Sequence, residues 1–302
     1  MPAKLDRENV TVTDREMTSP MPLTTTRIDT PRGALPCLTA GDGPPLICLH
    51  GFPDDPWSFG AQADRLVEAG YRVVAPWLCG YHPATLAADN QYDVIRAADQ
   101  AQLLLDAITD QPAVLIGHDW GAAVANQLAI RIPQRIRGIV TLAVPHGPGL
   151  LDALLHNPDQ QRRSWYLFFF QTALAEAAVK QDLRGFIERL WRDWSPGWAF
   201  SDDALDRVVK TLTAPGVLQA ALGYYRAALS AEPPTALPKI SRPALYLHGA
   251  DDGCIGPECC AGMQACYAGP FEHHLLQGAG HFLHRELPDQ VNTIILDWLN
   301  RL

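Results

Sequence analysis

Residues 112–130 read PAVLIGHDWGAAVANQLAI, and this stretch limits the folds open to the chain more than any other. An apolar run of strand length has no polar face, so it must be covered on both sides. It passes through a histidine, an aspartate and a tryptophan straight into a helix of small residues. A buried strand that turns at once into a helix is one βα unit of a parallel sheet. Asp119, at the turn, is fenced by Gly117 and Gly121. A helix-capping aspartate needs no glycine on either side. A side chain held out on a sharp, strained strand-to-helix turn needs both.

The same alternation runs along the chain from about residue 45. PPLICLHG, YRVVAPWL, PAVLIGHD and IRGIVTLAVP read as strands. SFGAQADRLVEAG, YDVIRAADQAQLLLDAI and AAVANQLAIRI read as the helices between them, the first closed by Gly70 and the last stopped before Pro133. Residues 148–238 then contain no convincing strand. They are rich in aromatics and helix formers, as in SWYLFFFQTALAEAAVK and LRGFIERLWRDWSPGWAF. The sheet pattern resumes with PALYLHGADD, a helix from about Pro257, the strand FEHHLLQGAGH and a last helix DQVNTIILDWLNRL. The expectation is an α/β core over 25–147 and 239–302, a helical insertion over 148–238, and an N-terminal extension over 1–24.

The 302 residues are enough for one large domain with an inserted subdomain. A net charge of −9, without a basic cluster, argues against nucleic acid or an anionic membrane as partner. No run approaches 18 apolar residues, so no transmembrane helix is predicted. The first twenty residues are polar, lack the apolar core of a signal peptide and contain Met17, which with Met21 is a possible internal start. Seven cysteines, an odd number in mostly apolar settings, suit free thiols in a reducing cytoplasm. CIGPECCAGMQAC follows no zinc spacing and reads as small buried thiols, so no metal is expected.

In an open α/β sheet, ligands bind beyond the carboxyl ends of the strands, where Asp119 lies. The pattern around it is small-x-nucleophile-x-small, with Asp in place of the Ser of esterases, and no G-x-S-x-G occurs elsewhere. LHGADDGC, after a late strand, offers Asp251 and Asp252. Asp252 is preferred because it completes a G-x-x-D spacing from Gly249. GAGHFLHRELP, after the last strand, offers His281. His273 and His274 lie within a strand and His284 a turn further on, so these read as structural or exposed. HGFP, residues 50–53, follows another strand. The backbone N–H groups of Phe52 and of Trp120, the residue after the nucleophile, can form an oxyanion hole, with His50 as a brace.

With HGFP, GHDWGA, GxxD and GHFxxxExP in this order, the chain resembles the epoxide hydrolase branch of the α/β-hydrolase fold over nearly its whole length after residue 24. The resemblance implies a mostly parallel sheet, helices on both faces and an inserted helical cap. These motifs are shared with haloalkane and fluoroacetate dehalogenases, so they specify an Asp nucleophile and not a substrate. The cap separates the candidates. Epoxide hydrolases carry two cap tyrosines, one in a Tyr-x-x-x-Phe-Gln stretch, where YLFFFQ places Tyr166. The other lies in a Trp-Tyr-Arg-like stretch, where YYR places Tyr225, with Tyr224 at the usual Trp. Opening an epoxide creates an alkoxide, and phenols with pKa near 10 are suitable donors to it.

The resemblance thus implies catalysis by Asp119, His281, Asp252, Tyr166 and Tyr225, with epoxide and water as substrates and no metal or organic cofactor. Trp57, Trp120, Phe168, Trp191 and Trp194 are candidates for lining an apolar, aryl or bulky substrate site. A dehalogenase remains the alternative. Trp120 stands where dehalogenases bind halide, but the Asn that haloalkane dehalogenases carry after HG is Phe52 here. A non-catalytic binding protein of this fold is the second alternative, against which the apparently complete triad speaks. One departure is Cys79 in PWLCGYHP, where many relatives have Arg. It lacks a neighbouring cue for a nucleophile. The natural substrate, its stereochemistry and the oligomeric state are open.

Overall fold

The computed structural model describes residues 23–230 and 238–302. One eight-stranded sheet organises them. Its strands are β1 Thr24–Thr30, β2 Gly33–Ala40, β3 Pro45–Leu49, β4 Arg72–Pro76, β5 Ala113–His118, β6 Ile136–Leu142, β7 Ala244–Gly249 and β8 Phe271–Leu276, in the order β1-β2-β4-β3-β5-β6-β7-β8. The strands from β4 across to β8 run parallel, and β1 and β2 add an antiparallel edge. Every residue of β5 and β7 is buried, as their continuous apolar runs require.

Helices cover both faces. α1 Gly60–Glu68 packs on α11 Pro288–Leu299. α2 Val94–Ile108 packs on α3 Trp120–Arg131, which lies on β5 and β6. α2 starts where Asp93 accepts from the Arg96 N–H and buries Ala97, Ala98, Ala101, Leu104 and Leu105, one helical face. α11 has no side-chain cap and likewise buries one face, with Val291, Ile295, Trp298 and Leu299.

Among the described residues, seven helices lie between β6 and β7: α4 Gly149–His156, α5 Pro158–Arg163, α6 Trp165–Phe169, α7 Ala175–Gln181, α8 Leu183–Trp194, α9 Asp202–Thr213 and α10 Val217–Ser230. α8 is capped by Asp182 and buries Phe186, Ile187, Leu190, Trp191 and Trp194, a stripe that seats it on the core. No helix among the described residues is long and apolar enough to cross a membrane.

Two expectations are corrected. The sheet begins before residue 45, with the β1–β2 hairpin. β1 is threonine-rich and mostly exposed, so it carries no apolar pattern to read. The helix expected from Pro257 is two 3-10 turns, Pro257–Cys260 and Met263–Cys266, because Gly262 between them adopts φ +77° and ends the helical path. The expected extension over 1–24 lies outside the described residues up to residue 22, while Leu23 is buried and Thr24 opens β1.

Candidate active site

The carboxyl ends of β3, β5, β7 and β8 bring the site together, as in open parallel sheets generally. Asp119 follows β5 with φ 51° and ψ −118°, a strained backbone for a residue with a side chain. The two glycines are needed for close approach. A Cβ at Gly117 would lie 2.2 Å from the Gly121 carbonyl oxygen, and one at Gly121 would lie 1.9 Å from that of Leu49. The elbow therefore presses onto the end of β3, where HGFP begins. The Phe52 N–H donates to Asp119 Oδ1 at 2.7 Å, which leaves Oδ2 facing His281 Nε2 at 3.6 Å.

His281 Nδ1 lies 2.9 Å from Asp252 Oδ2 and donates to it, so Nε2 is the nitrogen directed at Asp119. Asp252 is in turn fixed by its own turn, its Oδ1 accepting the N–H groups of Cys254 and Ile255 at 2.7 and 2.9 Å. Asp251, its neighbour, is exposed. His281 is fully buried, and burial works against its charged form. Cys254, Asp252 and Asp119 outweigh that cost and hold its pKa well above the usual histidine value.

The tyrosine segments are tied to each other across the insertion. Gln171 Nε2 donates to the Tyr225 carbonyl at 2.9 Å, and Arg226 Nε donates to the Phe170 carbonyl at 3.0 Å. The rings of Tyr166 and Tyr225 consequently meet edge to face at 5.6 Å. Both are buried, and burial, with the Asp119 charge adding to it, pushes both phenols well above their ordinary pKa. They stay protonated and able to donate. The Tyr225 hydroxyl has no partner, while that of Tyr166 is 3.1 Å from Cys254 Sγ. Tyr224 is used differently, donating to the Cys79 carbonyl at 2.6 Å.

Among the aromatic candidates, Trp120 packs 5.0 Å from Tyr225, with its buried Nε1 unpartnered. Trp194 lies 4.8 Å from Tyr166 and 5.2 Å from His281. Three others do not line this group. Trp57 is 36% exposed and Phe168 51% exposed, since each falls on the outward side of its turn. Trp191 is fully buried beneath the site, its Nε1 donating to the Pro53 carbonyl and its ring packed on Trp198 and Phe282. It anchors α8 to the HGFP loop.

His50 is a brace. Nδ1 donates to the Gly51 carbonyl and Nε2 accepts from Leu78 N–H, while burial pulls its pKa down to about 4. Cys79 is buried, which pushes its thiol up to about 11, far from a reactive thiolate. His284 is fully buried beside His118.

Sequence reasoning missed several neighbours. Cys254 sits between Tyr166 and the triad. Tyr81 is buried with an unpartnered hydroxyl that feels the Asp119 charge. The Trp194 carbonyl accepts from both Gly253 N–H and His281 N–H, so the end of α8 joins the acid and histidine loops. Glu286, in GHFxxxExP, accepts from Ser195 Oγ and Gly280 N–H, and Ser195 accepts from Phe282 N–H. Only Glu286 had a signal, its place in the motif.

The model of the alpha/beta hydrolase fold family matches residues 44–286. Among similar proteins, the AB hydrolase superfamily protein YfhM of Bacillus subtilis is 29% identical over 85% of this chain and 91% of its own length. Epoxide hydrolase A of Mycobacterium tuberculosis is 29% identical over 91% of this chain and 97% of its own. The crystal structure of epoxide hydrolase A from Mycobacterium thermoresistibile superposes with a TM-score of 0.79 at 27% identity, covering 92% of this chain and 98% of that one.

Proposed function

The chain belongs to the alpha/beta hydrolase fold family, on its epoxide hydrolase branch, and on that premise we propose that it opens an apolar epoxide to a vicinal diol through an ester on Asp119. Asp119 Oδ2 attacks an epoxide carbon in line. The ring C–O bond breaks, and the developing alkoxide is held and protonated by Tyr166 and Tyr225. Ester formation removes the Asp119 charge that favours the imidazolium, and His281 in its neutral form, oriented by Asp252, then takes a proton from water through Nε2. The hydroxide attacks the ester carbonyl, whose oxygen Oδ1 already accepts from Phe52 N–H, with Trp120 N–H as second donor. The diol leaves with Oδ2, Asp119 regains a carboxylate oxygen from water, and the proton taken by His281 restores the phenol that protonated the alkoxide. The segment α4–α10 serves as the cap that supplies both phenols and keeps bulk water from the ester.

The observation that carries this reading is the pair of buried tyrosines, ring to ring, with the Tyr225 hydroxyl unpartnered. A departing halide needs N–H donors and no proton, so two phenols would have no task in a dehalogenase. One feature favours that second reading, the unpartnered Nε1 of Trp120. A panel of styrene oxide, 1-bromobutane, fluoroacetate and p-nitrophenyl acetate separates the two. Diol from the first and no halide from the next two is the expected result. Halide release without diol would replace the proposal by the dehalogenase.

A further inference from the structure

We propose that Cys254, His281 and Asp252 form a binding site for a soft divalent cation such as zinc or cadmium, and that the ion shuts the site off. One ligand atom from each of the three residues lies within 4.8 Å of the other two, and all three residues are buried. The thiol meets the Tyr166 hydroxyl at 3.1 Å, and His281 Nδ1 meets Asp252 Oδ2 at 2.9 Å. A four-coordinate zinc needs sulfur at about 2.3 Å and nitrogen and oxygen at about 2.0–2.2 Å, so its ligands sit roughly 3.3–3.6 Å apart. The Nδ1–Oδ2 pair, 2.9 Å apart, has to open slightly, and the pairs with sulfur have to close by at most about 1.2–1.5 Å, a shift that side-chain rotation can supply. The main chain is already braced there, because Asp252 Oδ1 holds the N–H groups of Cys254 and Ile255.

The thiol makes the difference. A histidine and a carboxylate alone suit many cations weakly, whereas added sulfur selects soft and borderline ions over magnesium or calcium. On binding, the Sγ–H bond gives way to a sulfur–metal bond and the proton passes to water. The second buried cluster of this kind, Asp54, His118 and His284, has no thiol, and the Arg285 guanidinium 3.2 Å from Asp54 repels a cation. Inhibition follows whichever nitrogen the ion takes, since Nδ1 holds Asp252 and Nε2 must receive the proton of water. That consequence rests on the proposed mechanism; the binding does not.

The test compares the reduced full-length protein with Cys254→Ser and Cys254→Ala, titrated with cadmium and followed by the thiolate-to-cadmium absorption band and by calorimetry. The wild type is expected to bind one more ion per chain than either variant, with a correspondingly larger band. In diol formation from styrene oxide, each relative to its own metal-free rate, the variants should need roughly tenfold more zinc or cadmium for equal inhibition. Chelator should restore the wild type, and magnesium should do nothing. Equal stoichiometry in all three proteins, or equal metal sensitivity, overturns the proposal. The extra ion bound by a protein that makes no diol keeps the site and removes the proposed function instead.

Discussion

Gly121→Ala tests why the nucleophile's turn is built of glycines. The added Cβ would lie 1.9 Å from the Leu49 carbonyl oxygen and 2.7 Å from that of His50, both backbone atoms that cannot rotate away. Reaching a tolerable 3.0 Å means parting α3 from the end of β3 by about 1.1 Å. Strain of this kind in a packed core costs ~1–3 kcal/mol. At ~2–4 °C per kcal/mol, melting should fall by roughly 2–12 °C. The catalytic cost should be larger in proportion, because the same seam carries the Phe52 N–H to Oδ1 contact of 2.7 Å. A misplacement of about 1 Å at a reacting group costs about a hundredfold. Differential scanning calorimetry gives the first number and single-turnover ester formation with styrene oxide the second. A variant that melts with the wild type and forms ester at the same rate would mean that the elbow and β3 are free to separate and that the glycine is not needed for close approach.

Tyr166→Phe or Tyr225→Phe should each slow ester formation by about ten- to a thousandfold, and the double variant should nearly abolish it. Unchanged single-turnover rates in the double variant would remove the phenols from the mechanism. Asp54 gives a pH prediction for stability. Burial raises its carboxyl from 3.8 to about 7 despite Arg285. The unfolded chain therefore ionises first, and as pH rises from about 4 to about 7 the native state loses ~4 kcal/mol relative to it. Asp54→Asn should flatten the melting curve over that window, and two parallel curves would show that burial does not shift this group.

Much of the site is local chemistry and could be read from short stretches. The β5 run and Gly117, Asp119 and Gly121 lie within nine residues of sequence, so the demand for a buried strand and a tight elbow is written in one place. The choice of Asp252 over Asp251 rested on spacing, and the structure sets Asp252 against His281 while Asp251 faces solvent. What was not legible depends on the insertion meeting the core. Cys254 lies 88 residues from Tyr166, and nothing near either announces the contact. The Trp194 carbonyl that joins both catalytic loops is a backbone atom and leaves no mark in composition. Aromatic content did not tell lining from packing. Trp194 borders His281, Trp191 lies below, and Trp57 and Phe168 face out, which is settled by helix phase against the core. The two 3-10 turns replaced a helix because of one glycine's backbone angle.

A covalent bond between Asp119 and substrate leaves its mark in the fate of oxygen. A carboxylate can attack an sp³ carbon without a base, so His281 is needed only for the second step. His281→Gln should therefore accumulate an adduct of one epoxide mass on the peptide containing Asp119, and Asp119→Ala should gain nothing. In a single turnover of the wild type in heavy-oxygen water, the new oxygen of the diol should come unlabelled from Asp119, with the label left in the enzyme. Label in the diol on that first turnover would mean that water attacks the epoxide itself, with Asp119 acting as a general base, and the covalent mechanism would be contradicted.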